Sequence, residues 1–163
     1  RLNPIKIARN VFMTTEEVDG ESVEVFTSAD LFVPKGQKEV YSAAEVWEEF
    51  PAMYQGELKD ITLNDITYSY VTEEDFAIVK SGDQEALKNQ DVIIPSTIPA
   101  EGKTYTVKKI ADKAFFKVQM NSLTIKPGVE EIGASAFWNN YRITEIIIPS
   151  SVKRIGAKAF QYC

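Results

Sequence analysis

The last third of the chain repeats itself. Met120, Leu123, Ile125, Val129, Ile132, Gly133, Ala136 and Phe137 each recur 23 residues later, as Ile143, Ile146, Ile148, Val152, Ile155, Gly156, Ala159 and Phe160. A period of this length belongs to arrays of stacked units, in which no single unit can bury its own apolar row. A less regular copy precedes these two. It starts at Ile94-Pro95 and finishes at Ile110, Ala114 and Phe115, with an offset of 22 from Phe115 to Phe137. An insertion holding Pro99, Gly102 and Tyr105 separates its two parts, and irregular end copies are expected where a repeat must also close the stack.

Within one unit, Leu123-Thr124-Ile125 and Ile146-Ile147-Ile148 fit short β-branched strands. Pro127-Gly128 and Pro149-Ser150 follow as turn punctuation. Val152, Ile155, Ala159 and Phe160 then recur at tight-turn or helical spacing, and Gly156 is placed to let the backbone pass close to a neighbour. The expected fold is a β-rich solenoid of small strands with turns or short helices opposite.

The order Ile146-Ile147-Ile148-Pro149, Val152, Ile155-Gly156, Ala159-Phe160 and Cys163 resembles the BspA-like leucine-rich repeats of Bacteroides-type and other bacterial surface proteins. The middle copy departs from that pattern with Lys126 at the proline position and Asn140 at the cysteine position, and neither change touches the apolar row. In the first half, Leu31-Phe32-Val33-Pro34-Lys35-Gly36 leads to Tyr41, Ala44, Trp47 and Phe50, spaced three apart on one helix face. This resembles the strand-turn-helix that closes arrays in the same family, so the fold class is α+β once the cap helix is counted. An ordinary strand-helix unit with an aromatic face is the alternative.

Ile66, Tyr68 and Tyr70 alternate, as do Phe76 and Ile78, with Glu73-Glu74-Asp75 between them, which predicts a β-hairpin. The chain is thus expected to hold the end of one array with its cap over residues 1–55, and a hairpin followed by about three repeats over 56–163, the boundary falling at Pro51 to Glu57. Leu2, Ile5 and Ile7 repeat the spacing of Ile143, Ile146 and Ile148, resuming the pattern about one residue after Cys163. Two explanations stand side by side. Both ends lie inside longer arrays, or copies stack head to tail, a heterologous contact that gives rings or filaments.

Composition removes several classes of function. Histidine is absent and Cys163 is the single cysteine, which excludes Ser–His and Cys–His nucleophiles, the usual catalytic zinc ligand and any disulfide within the chain. The net charge of −6 shows no basic stripe along the sequence, so nucleic acid and anionic membranes are poor partners. No apolar run approaches the roughly 18 residues of a membrane span. Arg1-Leu2-Asn3-Pro4-Ile5 carries no signal-peptide pattern and is expected to lie inside a larger precursor. The glycines of 128–133 have the spacing of a phosphate loop but lack its lysine, and both belong to the repeat. Glu16-Glu17, Glu48-Glu49, Glu73-Glu74 and Glu130-Glu131 read as solvated faces rather than paired catalytic carboxylates. Asp60, Asp65 and the 73–75 turn are oxygen-rich but match no calcium-loop spacing. The expectation is no enzyme, no cofactor and no metal.

The positions after the repeated Ala-Phe stack in rows along one side: Phe116-Lys117, Trp138-Asn139 and Gln161-Tyr162, with Tyr141 nearby. Phe116, Trp138, Asn139, Tyr141 and Tyr162 form the candidate interaction surface, since large aromatics beside amides suit protein or sugar contacts. The competing reading packs Phe116 and Trp138 onto neighbouring turns as core. The resemblance implies a secreted or surface-anchored bacterial adhesion module that binds host or matrix protein. A carbohydrate-binding accessory module and a structural spacer are the alternatives.

Overall fold

The computed structural model describes residues 56–163 in full, together with the strand backbones at 13–18, 21–26, 31–33 and 53–55. The chain divides into two compact units, Arg1–Glu57 and Leu58–Cys163.

In the first unit, β1 (Met13–Val18) and β2 (Glu21–Phe26) form an antiparallel pair with Val18 opposite Glu21. Sequence reasoning missed this hairpin, although Asp19-Gly20 is a favoured two-residue loop signal. β3 (Leu31–Val33) pairs in parallel with β4 (Met53–Gln55). The strand of the expected cap is therefore present. Its helix, through Tyr41, Trp47 and Phe50, lies outside the described residues, as do Leu2, Ile5 and Ile7.

The second unit contains the expected hairpin near its start. β6 (Ile66–Val71) and β7 (Phe76–Gly82) are antiparallel, with Glu74 N donating to Val71 O at 3.0 Å in the turn. An unexpected third strand, β5 (Leu58–Leu63), joins β6 through Asn64-Asp65. Both residues have positive φ, 49° and 62°, as a two-residue hairpin turn that follows strand twist requires. The insertion with Pro99 and Gly102 is a further hairpin, β9 (Thr97–Ala100) against β10 (Lys103–Ile110).

Two parallel ladders then carry the repeats. In one, β8 (Asp91–Ile94), β11 (Ser122–Ile125) and β13 (Glu145–Ile147) align Val92, Leu123 and Ile146. In the other, β12 (Glu131–Ile132) and β14 (Arg154–Ile155) extend the sheet beyond β10, aligning Ile110, Ile132 and Ile155. That sheet runs β14-β12-β10-β7-β6-β5, so the hairpin of β6 and β7 continues directly into the stack. Ile94, Ile110, Leu123, Ile125, Val129 and Ile132 are buried between the ladders.

No helix occurs among the described residues, which corrects the short helices allowed for opposite the strands. The backbone explains why. In the turn 112–117, alternate amides bond in different directions. Lys113, Phe115 and Lys117 donate to Ala134 O, Ala136 O and Trp138 O of the following repeat, at 3.0, 2.7 and 2.9 Å. Ala114 and Phe116, between them, donate back to Ala111 O and Lys113 O within their own turn. The arrangement needs left-handed residues, and Lys113, Lys117, Ser135, Asn139, Lys158 and Tyr162 all have φ between 53° and 62°. An α-helix would turn every amide inward. Here half of them tie one turn to the next.

The repeated glycine is a packing requirement. A Cβ on Gly133 would stand 2.5 Å from Asp112 N and 2.7 Å from Ala111 C, and one on Gly156 would stand 2.5 Å from Ala134 N. We therefore expect Gly133→Ala to lower unfolding stability by about 1–3 kcal/mol in urea titration, because backbone, not a flexible side chain, must move. Tyr68 gives a pH signature. Burial pushes its phenol up to about 12, so the stabilisation it supplies is complete below pH 10 and is lost as pH rises through 12. Alkaline unfolding of wild type should begin above pH 10, and Tyr68→Phe should flatten that loss.

Candidate interaction surface

Adjacent residues of each turn point to opposite sides and build two aromatic columns. The inner column is Phe115, Phe137 and Phe160, stacked at 5.1 and 5.2 Å between centroids and within 4° of parallel. Phe115 and Phe137 are fully buried. The outer column begins with Phe116 and Trp138, whose rings stack at 4.7 Å and 8°, and continues to Tyr162, which meets Trp138 at 5.5 Å and 81°. Both geometries suit aromatic quadrupoles. Phe116 and Trp138 are half-buried. They are neither core nor free platforms, but a ridge held by its own stacking.

The ridge has polar fixings. Lys117 Nζ lies 5.3 Å from the Phe116 centroid and 5.4 Å from that of Trp138, a cation–π position on both rings. Trp138 Nε1 donates to Gln161 Oε1 at 3.3 Å. Asn139 N donates to Gln161 O at 2.8 Å, and Asn139 O accepts from Gln119 Nε2. Tyr162 is 62% exposed despite its left-handed backbone. Tyr141 is 67% exposed and pairs with no other ring among the described residues, so it stands apart from the ridge.

Asn140, treated in the sequence as a departure without consequence, is fully buried. Its Nδ2 donates to Phe115 O and Phe137 O, each at 2.8 Å, and its Oδ1 accepts from Gln119 N at 2.8 Å. One repeat later, Cys163 Sγ donates to Phe137 O at 3.2 Å. The cysteine position of the repeat is thus a donor position, and an amide serves it as a thiol does. Alignment of Asn140 with Cys163 was the available signal.

The Glu130-Glu131 pair finds structural partners. Glu130 bonds Lys153, whose ammonium holds the carboxyl below its ordinary range. Glu131 lies between Lys109, at 3.6 Å, and Arg154, at 2.5 Å. Asp60 accepts from Ser69 and Lys80, which lower its carboxyl in the same way. Among the described residues, no three acidic or sulfur ligands converge on a metal position.

A family described as "BspA type Leucine rich repeat region (6 copies)" matches residues 84–163. This segment belongs to that family. No curated protein matches the chain by sequence. A leucine-rich repeat protein from Bacteroides ovatus is similar at 32% identity and TM-score 0.58, over 64% of this chain and 27% of its own. A leucine rich cell surface protein from Faecalibacterium prausnitzii is similar at 25% identity and TM-score 0.56, over 64% and 28%. The T. pallidum leucine rich repeat protein, at 24% identity and TM-score 0.52 over 64% and 46%, shares the fold. The chain spans little more than a quarter of the first two of these. The leucine-rich-repeat fold is therefore shared while sequence has diverged widely.

In this BspA-type repeat, the Asn140 position tests the donor requirement. Asn140→Ala should cost about 1–3 kcal/mol in chemical denaturation, since it strands Gln119 N and removes one donor each from Phe115 O and Phe137 O. Asn140→Cys should recover part of that loss, because a thiol already serves the equivalent position at Cys163.

Proposed function

We propose that the chain is a non-catalytic protein-binding module of a bacterial surface or secreted protein, a solenoid segment whose turn side presents the ridge of Phe116, Trp138 and Tyr162. The observation that carries this reading is the stacked, half-buried pair of Phe116 and Trp138 with Lys117 Nζ over both rings. The family assignment and the described cell-surface relative support the location.

Carbohydrate binding is the second reading, and the geometry redirects it. Phe116 covers one face of Trp138, and Tyr162 stands against it from the following turn. A sugar ring cannot lie flat on Trp138 without displacing one of them. Tyr141 has its ring unpaired, so a glycan would use Tyr141 and leave the ridge untouched.

Binding of the purified chain to a panel of matrix proteins, followed by surface plasmon resonance, separates the two. We expect saturable binding to at least one protein, weakened about tenfold or more by Trp138→Ala with Tyr162→Ala, and unchanged by Tyr141→Ala. Glycan-array binding lost on Tyr141→Ala, with no protein bound, would overturn the proposal in favour of a carbohydrate module. Rings or filaments in light scattering would instead make another copy of the chain the partner.

A further inference from the structure

We propose that the turn-side ridge takes an acidic polypeptide segment, with carboxylates on its lysines and an apolar side chain against its ring edges. This rests on the ridge being the binding surface. The charge distribution carries it further than the bare aromatic row does.

The whole chain is acidic, but the acid is not evenly spread. Residues 58–99 hold eight Asp and Glu against three Lys, whereas residues 100–163 hold ten Lys and Arg against five Asp and Glu. Within that basic stretch the two sides of the stack differ. On the strand side, Lys109, Lys153 and Arg154 are paired with Glu130 and Glu131. On the turn side, Lys113, Lys117 and Lys158 are exposed, and none has a carboxylate partner among the described residues.

The register places these lysines on the same turns as the ridge, with Lys117 Nζ over its rings. Lys113 N donates to Ala134 O, and Ser135 N donates to Ala157 O, so Lys113, Ser135 and Lys158 occupy one row. Lys117, Asn139 and Tyr162 occupy the next. Lys113 and Lys158 stand two rungs apart, about 10 Å at ordinary strand spacing. An extended peptide covers that distance in about three residues.

Several acceptors on this side are already used. Asp112 Oδ1 takes the Ala134 amide at 2.7 Å, Gln161 Oε1 takes the Trp138 indole, and Asn139 O takes the Gln119 amide. The Gln161 amide nitrogen and the three ammonium groups remain to donate. A surface of donors beside ring edges selects a ligand rich in acceptors that also carries an apolar anchor. A polynucleotide fits less well, because its bases need open ring faces to stack on, and Trp138 has Phe116 and Tyr162 against it.

Fluorescence anisotropy on the full chain tests this with four labelled probes. They are a short peptide of glutamates and two phenylalanines, its Glu→Gln counterpart, oligo-dT of equal length, and a heparin fragment. Trp138→Ala and the triple variant Lys113→Gln, Lys117→Gln, Lys158→Gln are compared with wild type, their folding checked by thermal melts. We expect the acidic peptide to bind about tenfold tighter than its neutral counterpart, with the advantage lost in the triple variant and at high salt. Trp138→Ala should weaken both peptides. Equal binding of the two peptides, still sensitive to Trp138→Ala, overturns the acidic partner and leaves the ridge as the site. Insensitivity of the acidic peptide to Trp138→Ala overturns the ridge itself. Tighter binding of oligo-dT or heparin overturns the polypeptide in favour of another polyanion.

Discussion

The amide ladder between turns is the constraint on which the rest of the repeat depends. Sheets hold the strands, but strands of two to four residues contribute few bonds each. The turns add Lys113, Phe115 and Lys117 bonding forward to one repeat, and Ser135, Phe137 and Asn139 bonding forward to the next. Each bond is worth only about 0.5–1.5 kcal/mol net. Their larger effect is geometric. They fix the turn register, so phenylalanine lands on phenylalanine and glycine passes against backbone. Asn140, with its three bonds, ties the turn to the carbonyl of the preceding inner phenylalanine as well as to its own.

That ladder also sorts polar groups by side. On the strand side, opposite charges meet across rungs, as Glu131 does with Lys109 and Arg154. Exposed pairs of this kind stabilise little, about 0–1 kcal/mol each, yet they neutralise the face they cover. The turn side has no such pairing among the described residues, and Lys117 lies over its rings. Identical backbone geometry thus gives two surfaces of different chemistry, one satisfied internally and one presented outward.

Much of the repeat was legible because burial writes a period. Ile125, Ile132 and Phe137 are wholly buried and cannot vary freely, so their spacing survives in the sequence and identifies the register. The hairpin of Tyr68 and Phe76 was legible for the same reason, through alternation over its strands. Apart from the Asp19-Gly20 loop, what escaped notice has no local sequence signature. The left-handed backbone at Lys113, Lys117 and Tyr162 is imposed by neighbouring turns, and none of these residue types favours it. Asn140 reads as polar, hence exposed, unless its partners are known. Lys113 and Lys158 lie 45 positions apart in the chain, and only the stack makes them near neighbours. The absence of a basic stripe along the sequence was therefore a poor guide to the surface.

The row holding Lys117, Asn139 and Tyr162 shows how such a scaffold separates stability from recognition. Three unrelated side chains occupy one backbone conformation, with φ of 61°, 58° and 62°. Asparagine is the choice that local energetics would make, since it tolerates the left-handed region best among non-glycine residues. Lysine and tyrosine cost more, and both stay largely exposed. Where every inner position obeys packing, an outer position that defies local preference points to a demand from outside the chain. In this row the costlier residues are the ones that touch the ridge: Lys117 lies over the Phe116 and Trp138 rings, and Tyr162 abuts Trp138. Lys113, Ser135 and Lys158 hold the same left-handed backbone in a separate row, so the turn imposes the conformation and the residue type decides what each row presents.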